Sequence, residues 1–121
     1  MSIQWFPGHM NKARKQIKEL LPQIHLIIEV LDARIPFSSE NPMIAELRGD
    51  KPCIKVLTKS DLADPKITER WLQYLDKQKG IKAIAVTTKQ PDIIRQLVPL
   101  CRKMLPERDA GHNDIHVMIM G

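Results

Sequence analysis

Four short apolar runs recur along the chain at nearly even spacing: residues 26–31 (LIIEVL), 53–57 (CIKVL), 82–86 (KAIAV) and 115–120 (IHVMIM). Each has the length and β-branched content of a buried strand, and their starts lie 27, 29 and 33 residues apart. Hairpins need only a few residues between strands. Intervals near 30 with helical spacing inside them are the rhythm of repeated strand–helix units, and these build parallel sheets. The expectation is therefore an α/β fold: a parallel four-stranded sheet with helices on both faces, preceded by a basic N-terminal helix. At 121 residues the chain suits one domain, and it contains no apolar run of 18 residues of the kind that crosses a membrane.

The intervening segments carry helix-start signals. Asn41-Pro42 and Asp64-Pro65 each place a capping side chain before a proline at the first helical position, and Gln90-Pro91 is a weaker version. The helix after Pro65 is expected to bury a stripe of Ile67, Trp71 and Leu75 with Leu72 beside it, and to stop at Gly80. The helix after Pro91 stacks Ile93, Ile94, Leu97, Cys101 and Met104, with Pro99 expected to kink or split it. A leading helix of residues 8–21 has Met10, Ala13, Ile17, Leu20 and Leu21 on its apolar face and ends at Pro22. Lys12, Lys15 and Lys18 lie opposite, where they serve either as a solvated face or as contacts to RNA phosphate. Trp5 and Phe6 are expected to staple this helix to the sheet, and residues 106–114 (PERDAGHND) read as a polar connector. Glu29 interrupts an apolar strand, where an unpaired carboxylate is costly, so it needs a basic partner or the sheet's edge.

Nineteen Lys and Arg against 14 Asp and Glu give a net charge of +5, which favours a polyanionic partner or merely supports solubility. With aromatics at 4%, the chain is poorly supplied for stacking bases. Cys53 and Cys101, each in an apolar stretch, read as buried hydrophobes in a reducing compartment, and with no signal-peptide pattern at the start the cytoplasm is expected. His112 and His116 lack further ligands nearby, so no metal site is assigned.

In open parallel sheets ligands sit beyond the carboxyl ends of the strands, and three such ends here carry polar clusters: Asp32-Ala33-Arg34, Thr58-Lys59-Ser60-Asp61 and Thr87-Thr88-Lys89. A carboxylate two residues past a lysine at a strand end can read guanine, with Asp61 accepting from the N1–H and the exocyclic amine while the Lys59 stem covers the ring. Adenine offers no such pair of donors. A lone T-K-x-D also fits capping and surface pairing, and Asp32 and Arg34 fit a loop tie as well as a ligand contact.

The runs WFPGHM (5–10), LDARIP (31–36), SSENPMI (38–44), LTKSDL (57–62) and TTK (87–89) together resemble the opening of the circularly permuted ribosome-assembly GTPases of the YlqF/RbgA type, over essentially the whole chain. In that family the base-recognition elements precede the phosphate-binding loop. By this resemblance Thr58, Lys59 and Asp61 belong to the N/T-K-x-D guanine element, and Thr87, Thr88 and Lys89 to the S-A-K-like element whose backbone N–H meets the guanine oxygen. Gly121 corresponds to the first glycine of the phosphate-binding loop, fed by the last strand. His9 corresponds to a mobile histidine that helps place the attacking water, or else is an ordinary turn residue. Thr58 stands where many GTPases have Asn, and its hydroxyl makes only part of the amide's bonds.

The resemblance further implies a P-loop NTPase-like sheet ordered fourth, first, second, third strand. It implies GTP or GDP as ligand, Mg2+ in the full-length protein only, and the large ribosomal subunit with its RNA as partner. Residues 1–23 are then a basic arm and helix, and residues 24–121 the guanine-recognition half of a GTPase domain that ends before the phosphate loop. A GxxxxGK[ST] loop and a DxxG element are absent from these residues, so the chain is expected to be the N-terminal third or so of a longer GTPase and inactive alone. Competing readings are a freestanding basic RNA-binding α/β module and, last, a flavodoxin-like or receiver-like domain.

Overall fold

The structure, a computed structural model, describes residues 2–6, 10–34, 42–87, 93–111 and 114–121. In chain order its elements are β1 (Ser2–Phe6), α1 (Met10–Leu20), a 3-10 turn at Leu21–Gln23, β2 (Leu26–Asp32), α2 (Pro42–Arg48), β3 (Cys53–Thr58), a second 3-10 turn at Ser60–Leu62, α3 (Pro65–Asp76), β4 (Ile81–Ala85), α4 (Ile93–Met104), α5 (Pro106–Ala110) and β5 (His116–Met120).

All strands pair in parallel in one sheet of order β1-β5-β2-β3-β4. The last apolar run lies beside the first, followed by the second and third, as expected. The sheet has five strands, however, not four. Residues 2–6 pair with β5 from Ser2↔His116 to Phe6↔Met120. This segment does not read as a strand because, at the sheet's edge, it is only half-covered and has no apolar run. Phe6 packs among Ile17, Met118 and Met120, while Trp5 is 51% exposed, so the expected staple is Phe6 without Trp5.

The alternation of side chains along the strands divides the core by face. On one face Leu26, Ile28, Ile54, Val56, Val117 and Ile119 meet Leu97 and Cys101 of α4. On the other, Ile27, Cys53, Met118 and Met120 meet Ile17 of α1 and Met43 and Ile44 of α2, and Leu57 and Ala83 meet Leu75 of α3. Helices thus cover both faces, and the central strands read as continuous apolar runs because both their sides are buried. Cys53 and Cys101 are free, buried and on opposite faces, and burial pushes both thiols up to about 11.

Glu29 finds its basic partner across the ladder. Glu29 and Lys55 are register partners on β2 and β3, with Lys55 Nζ 3.2 Å from Glu29 Oε1 and both side chains largely buried. At α3, the Asp64 side chain accepts from the N–H groups of Lys66 (2.8 Å) and Ile67 (3.4 Å) ahead of Pro65. The buried stripe of α3 is Thr68 and Leu75 with Trp71 and Leu72 partly covered, and Ile67 is 51% exposed. The expected stripe is therefore rotated by one residue. Pro99 lies inside α4 without splitting it, and the break falls at Leu105, ahead of Pro106. Asn41, Gln90, Pro91 and His112, and the side chains of Met10, Lys12, Ala13, Ile93 and Ile94, lie outside the described residues.

Candidate functional site

The carboxyl edge of the sheet gathers the polar strand ends. β3 ends at Thr58, whose hydroxyl donates to the Leu31 carbonyl at 3.0 Å and so fastens β3 to β2. The ladder continues one step beyond the strands, with the Ala33 N–H donating to the Thr58 carbonyl at 2.8 Å. The chain then turns sharply through Lys59, which holds a left-handed backbone conformation (φ 58°, ψ 33°), the only non-glycine among the described residues with positive φ. Such a conformation is disfavoured for a lysine and persists where the surroundings impose it.

Two backbone bonds impose it here. Leu62 N–H donates to the Lys59 carbonyl at 2.9 Å, closing the 3-10 turn that carries Asp61, and Ser60 N–H donates to the Val86 carbonyl at 3.0 Å. The second bond locks the turn onto the end of β4, immediately before Thr87, and Val86 N–H returns a bond to Leu57 at 2.8 Å. Thr58, Lys59, Asp61 and Thr87 therefore converge on one corner of the rim although two of these segments are almost 30 residues apart in sequence. Asp61 is exposed there, and Thr87 is half-buried. Thr88, Lys89 and His9 lie outside the described residues.

Gly121 follows β5 on the same edge. Its φ is 115°, and a Cβ at this position would sit 2.5 Å from the Val30 carbonyl oxygen, so only glycine fits against β2. Two strand spacings, roughly 10 Å across the sheet, lie between β5 and β3, and Gly121 stands level with Val30, three residues short of Lys59 along the strands.

Between these two ends, at the end of β2, stands the charged pair Asp32 and Arg34, which the sequence leaves open between a loop tie and a ligand contact. Asp32 accepts from the Arg34 backbone N–H (3.0 Å), from Arg34 Nε (3.0 Å) and from Arg34 Nη2 (2.7 Å), and Lys59 Nζ lies 3.5 Å from its Oδ2. The Arg34 hydrogen bonds, aided by its charge and that of Lys59, hold the Asp32 carboxyl well below the usual carboxylate range, so it is ionised at any ordinary pH. Sequence alone gives no signal for the contact with Lys59, because it depends on register: Asp32 stands opposite Thr58 only once β2 and β3 are paired. Among the described residues no group of three or more His, Cys, Asp or Glu side chains could hold a metal ion. Nor is any helix long and apolar enough to cross a membrane among them.

Fold and rim together define a parallel α/β protein whose polar residues collect at the carboxyl edge, where such sheets hold their ligands. No family model matches the chain. Curated relatives do. The chain is 47% identical over 108 residues to ribosome biogenesis GTPase A of Priestia megaterium, covering 89% of the chain and 37% of that protein. To the protein of the same name from Bacillus cereus it is 44% identical, covering 89% of the chain and 36% of the relative. To mitochondrial ribosome-associated GTPase 1 of Bos taurus it is 38% identical over 115 residues, covering 94% and 34%. By sequence the chain is similar to proteins named as ribosome-associated or ribosome biogenesis GTPases, and it spans a little over a third of the length of these relatives.

Proposed function

We propose that this chain is the guanine-recognising part of a P-loop-type, circularly permuted protein that binds and hydrolyses GTP during assembly of the large ribosomal subunit. The observation that carries the reading is the turn after β3: Lys59 in a left-handed conformation and Ser60 N–H bonded to Val86 present Asp61 beside the end of β4. In this reading Asp61 accepts from the guanine N1–H and exocyclic amine, the Lys59 stem covers the ring, and the backbone at Thr87, Thr88 and Lys89 meets the guanine oxygen. Thr58 holds the floor of the pocket through Leu31. Gly121 opens the phosphate loop, and the glycine-only approach to Val30 suits a backbone that must pass close to a neighbour. GTP or GDP is the ligand. In the whole protein Mg2+ would neutralise charge on the phosphates of the bound nucleotide, and His9 helps to place the attacking water.

Residues 24–121 form the guanine-recognising half, to which residues 1–23 contribute β1 and α1. The exposed Lys15 and Lys18 of α1, in a chain of net charge +5, suit ribosomal RNA phosphates. The cytoplasm is the working compartment, although several relatives are named as mitochondrial.

Titration of the 15N-labelled chain with GTP, ATP and XTP tests the base reading. Two hydrogen bonds to one carboxylate should favour GTP over ATP by about tenfold or more. Asp61→Ala should remove that preference and Asp61→Asn should turn it towards XTP. RNA binding that is salt-sensitive and indifferent to Asp61→Ala, with no preference among the nucleotides, would instead establish a basic RNA-binding module.

A further inference from the structure

We propose that Asp32 is a positioning residue for guanine binding: clamped by Arg34, its carboxylate fixes the Lys59 ammonium so that the lysine stem is held in place against the base. The inference rests on the guanine reading of the turn after β3 and names a residue that the turn itself does not contain.

Geometry makes the case in three steps. First, Asp32 cannot drift. It is the last residue of β2 in register with Thr58, and its neighbour Ala33 donates to the Thr58 carbonyl at 2.8 Å, so the backbone on both sides of the carboxylate is tied to β3. Second, both carboxylate oxygens are aligned by Arg34, Oδ1 by the backbone N–H and Nε and Oδ2 by Nη2 at 2.7 Å. A carboxylate held in a bidentate fork keeps one orientation. Third, Lys59 Nζ lies 3.5 Å from Oδ2, the outer oxygen of that fork. The anchored group therefore reaches across from β2 to a side chain rooted in the turn after β3.

The consequence for a ligand follows from the lysine's flexibility. Its four-carbon stem samples many rotamers when the ammonium is unattached, and any one of them must be selected again when a ring settles against it. An ammonium tied to a fixed anion removes that selection in advance. The backbone of Lys59 is already restricted to its left-handed conformation by the bonds at Ser60 and Leu62, so the tether orders the part of the residue that the backbone leaves free. As an ion pair with a side chain 42% exposed, the contact itself contributes little to folding. A merely structural role would therefore show as lost stability, and a positioning role as lost affinity at nearly unchanged stability.

The test is a titration of the 15N-labelled chain with GDP and with ADP, run on the wild type, Asp32→Asn, Lys59→Ala and the double variant. Asp32→Asn should weaken GDP binding about three- to tenfold, the cost of reordering one long side chain. It should leave the GDP-over-ADP ratio set by Asp61 and the urea midpoint almost unchanged. In the Lys59→Ala background the same substitution should have almost no further effect, because its target is gone. Effects of Asp32→Asn and Lys59→Ala that simply multiply, or GDP affinity unmoved by Asp32→Asn in a chain that prefers GDP, overturn the tether alone. A wild type indifferent between GDP and ADP overturns the guanine reading, and the tether with it. Should Asp32→Asn fail to fold, Arg34→Gln, which loosens the carboxylate without removing it, is expected to weaken GDP binding in the same Lys59-dependent way, and independence from Lys59 counts against the proposal.

Discussion

Lys55 and Glu29 illustrate what single residues reveal and what they withhold. An acidic residue inside LIIEVL already demands a cation, because a lone buried carboxylate is too costly to keep. Which cation serves is a matter of register, and register is set by the whole sheet. In the folded chain Lys55 Nζ is 3.2 Å from Glu29 Oε1, with the two side chains 12% and 3% exposed. Removing the cation alone should therefore destabilise strongly: Lys55→Met is expected to lower unfolding stability by about 3–5 kcal/mol in urea titration. Replacing both, as Glu29→Leu with Lys55→Met, should recover most of that loss, because an apolar pair needs no compensation in a face already lined by Ile27 and Leu57. A double variant no more stable than the single one would show that the pair holds something other than its own charges. Lys59 sits at the opposite extreme of legibility. Its place in a T-K-x-D run is plain from sequence, whereas its contact with Asp32 depends on two strands ending side by side.

Elements were legible in proportion to how many of their sides are buried. β2, β3 and β5 present apolar residues on both faces and stand out as continuous runs, while β1, half-covered at the edge, does not. The rotated stripe of α3 has a similar cause: Ile67 is apolar but adjoins the exposed start of the helix, and Thr68 takes the inward position. The seam where β5 begins beside β2 could not be read at all, since it depends on a side chain bonding to a backbone group 91 residues away. There His25 N–H donates to the His116 carbonyl, and His116 N–H donates to His25 Nδ1, each at 2.9 Å. Nδ1 can accept only while the imidazole is neutral. Burial lowers the His25 pKa, the positive charges of Arg108, His116 and Lys51 lower it further, and Asp114 opposes them. A histidine whose folded pKa is depressed contributes stability that is complete above its unfolded value of about 6.5 and is lost as pH falls below that value. The thermal midpoint should therefore decline between pH 7.5 and 5.5, and His25→Asn, whose amide oxygen can accept the same N–H at any pH, should flatten this part of the decline. An equal decline in His25→Asn would place the proton uptake elsewhere.

At the scale of the molecule, the strand order separates the strand that closes the sheet's edge from the polar corner of its rim. The chain's first strand closes one side of β5, whereas the turn after β3 and the end of β4 lie at the other side of the sheet, with β2 between. β1 contributes Ile3 to one face and Phe6 to the other, and its five register pairs cover the β5 edge. Removing residues 1–6 should therefore uncover β5 and expose apolar surface around Ile17, Met118 and Met120, costing about 2 kcal/mol or more in a urea titration. The rim corner is built from bonds that do not pass through β1: Thr58 to Leu31, Ala33 to Thr58, Ser60 to Val86 and Val86 to Leu57. The shortened chain, at temperatures where it remains folded, should thus keep the wild-type ratio of GTP to ATP affinity even as its denaturation midpoint falls. A truncated chain that stays folded but loses that ratio would mean that base selection reaches across the sheet to its first strand. The rim corner would then no longer be the self-contained unit that its hydrogen bonds describe.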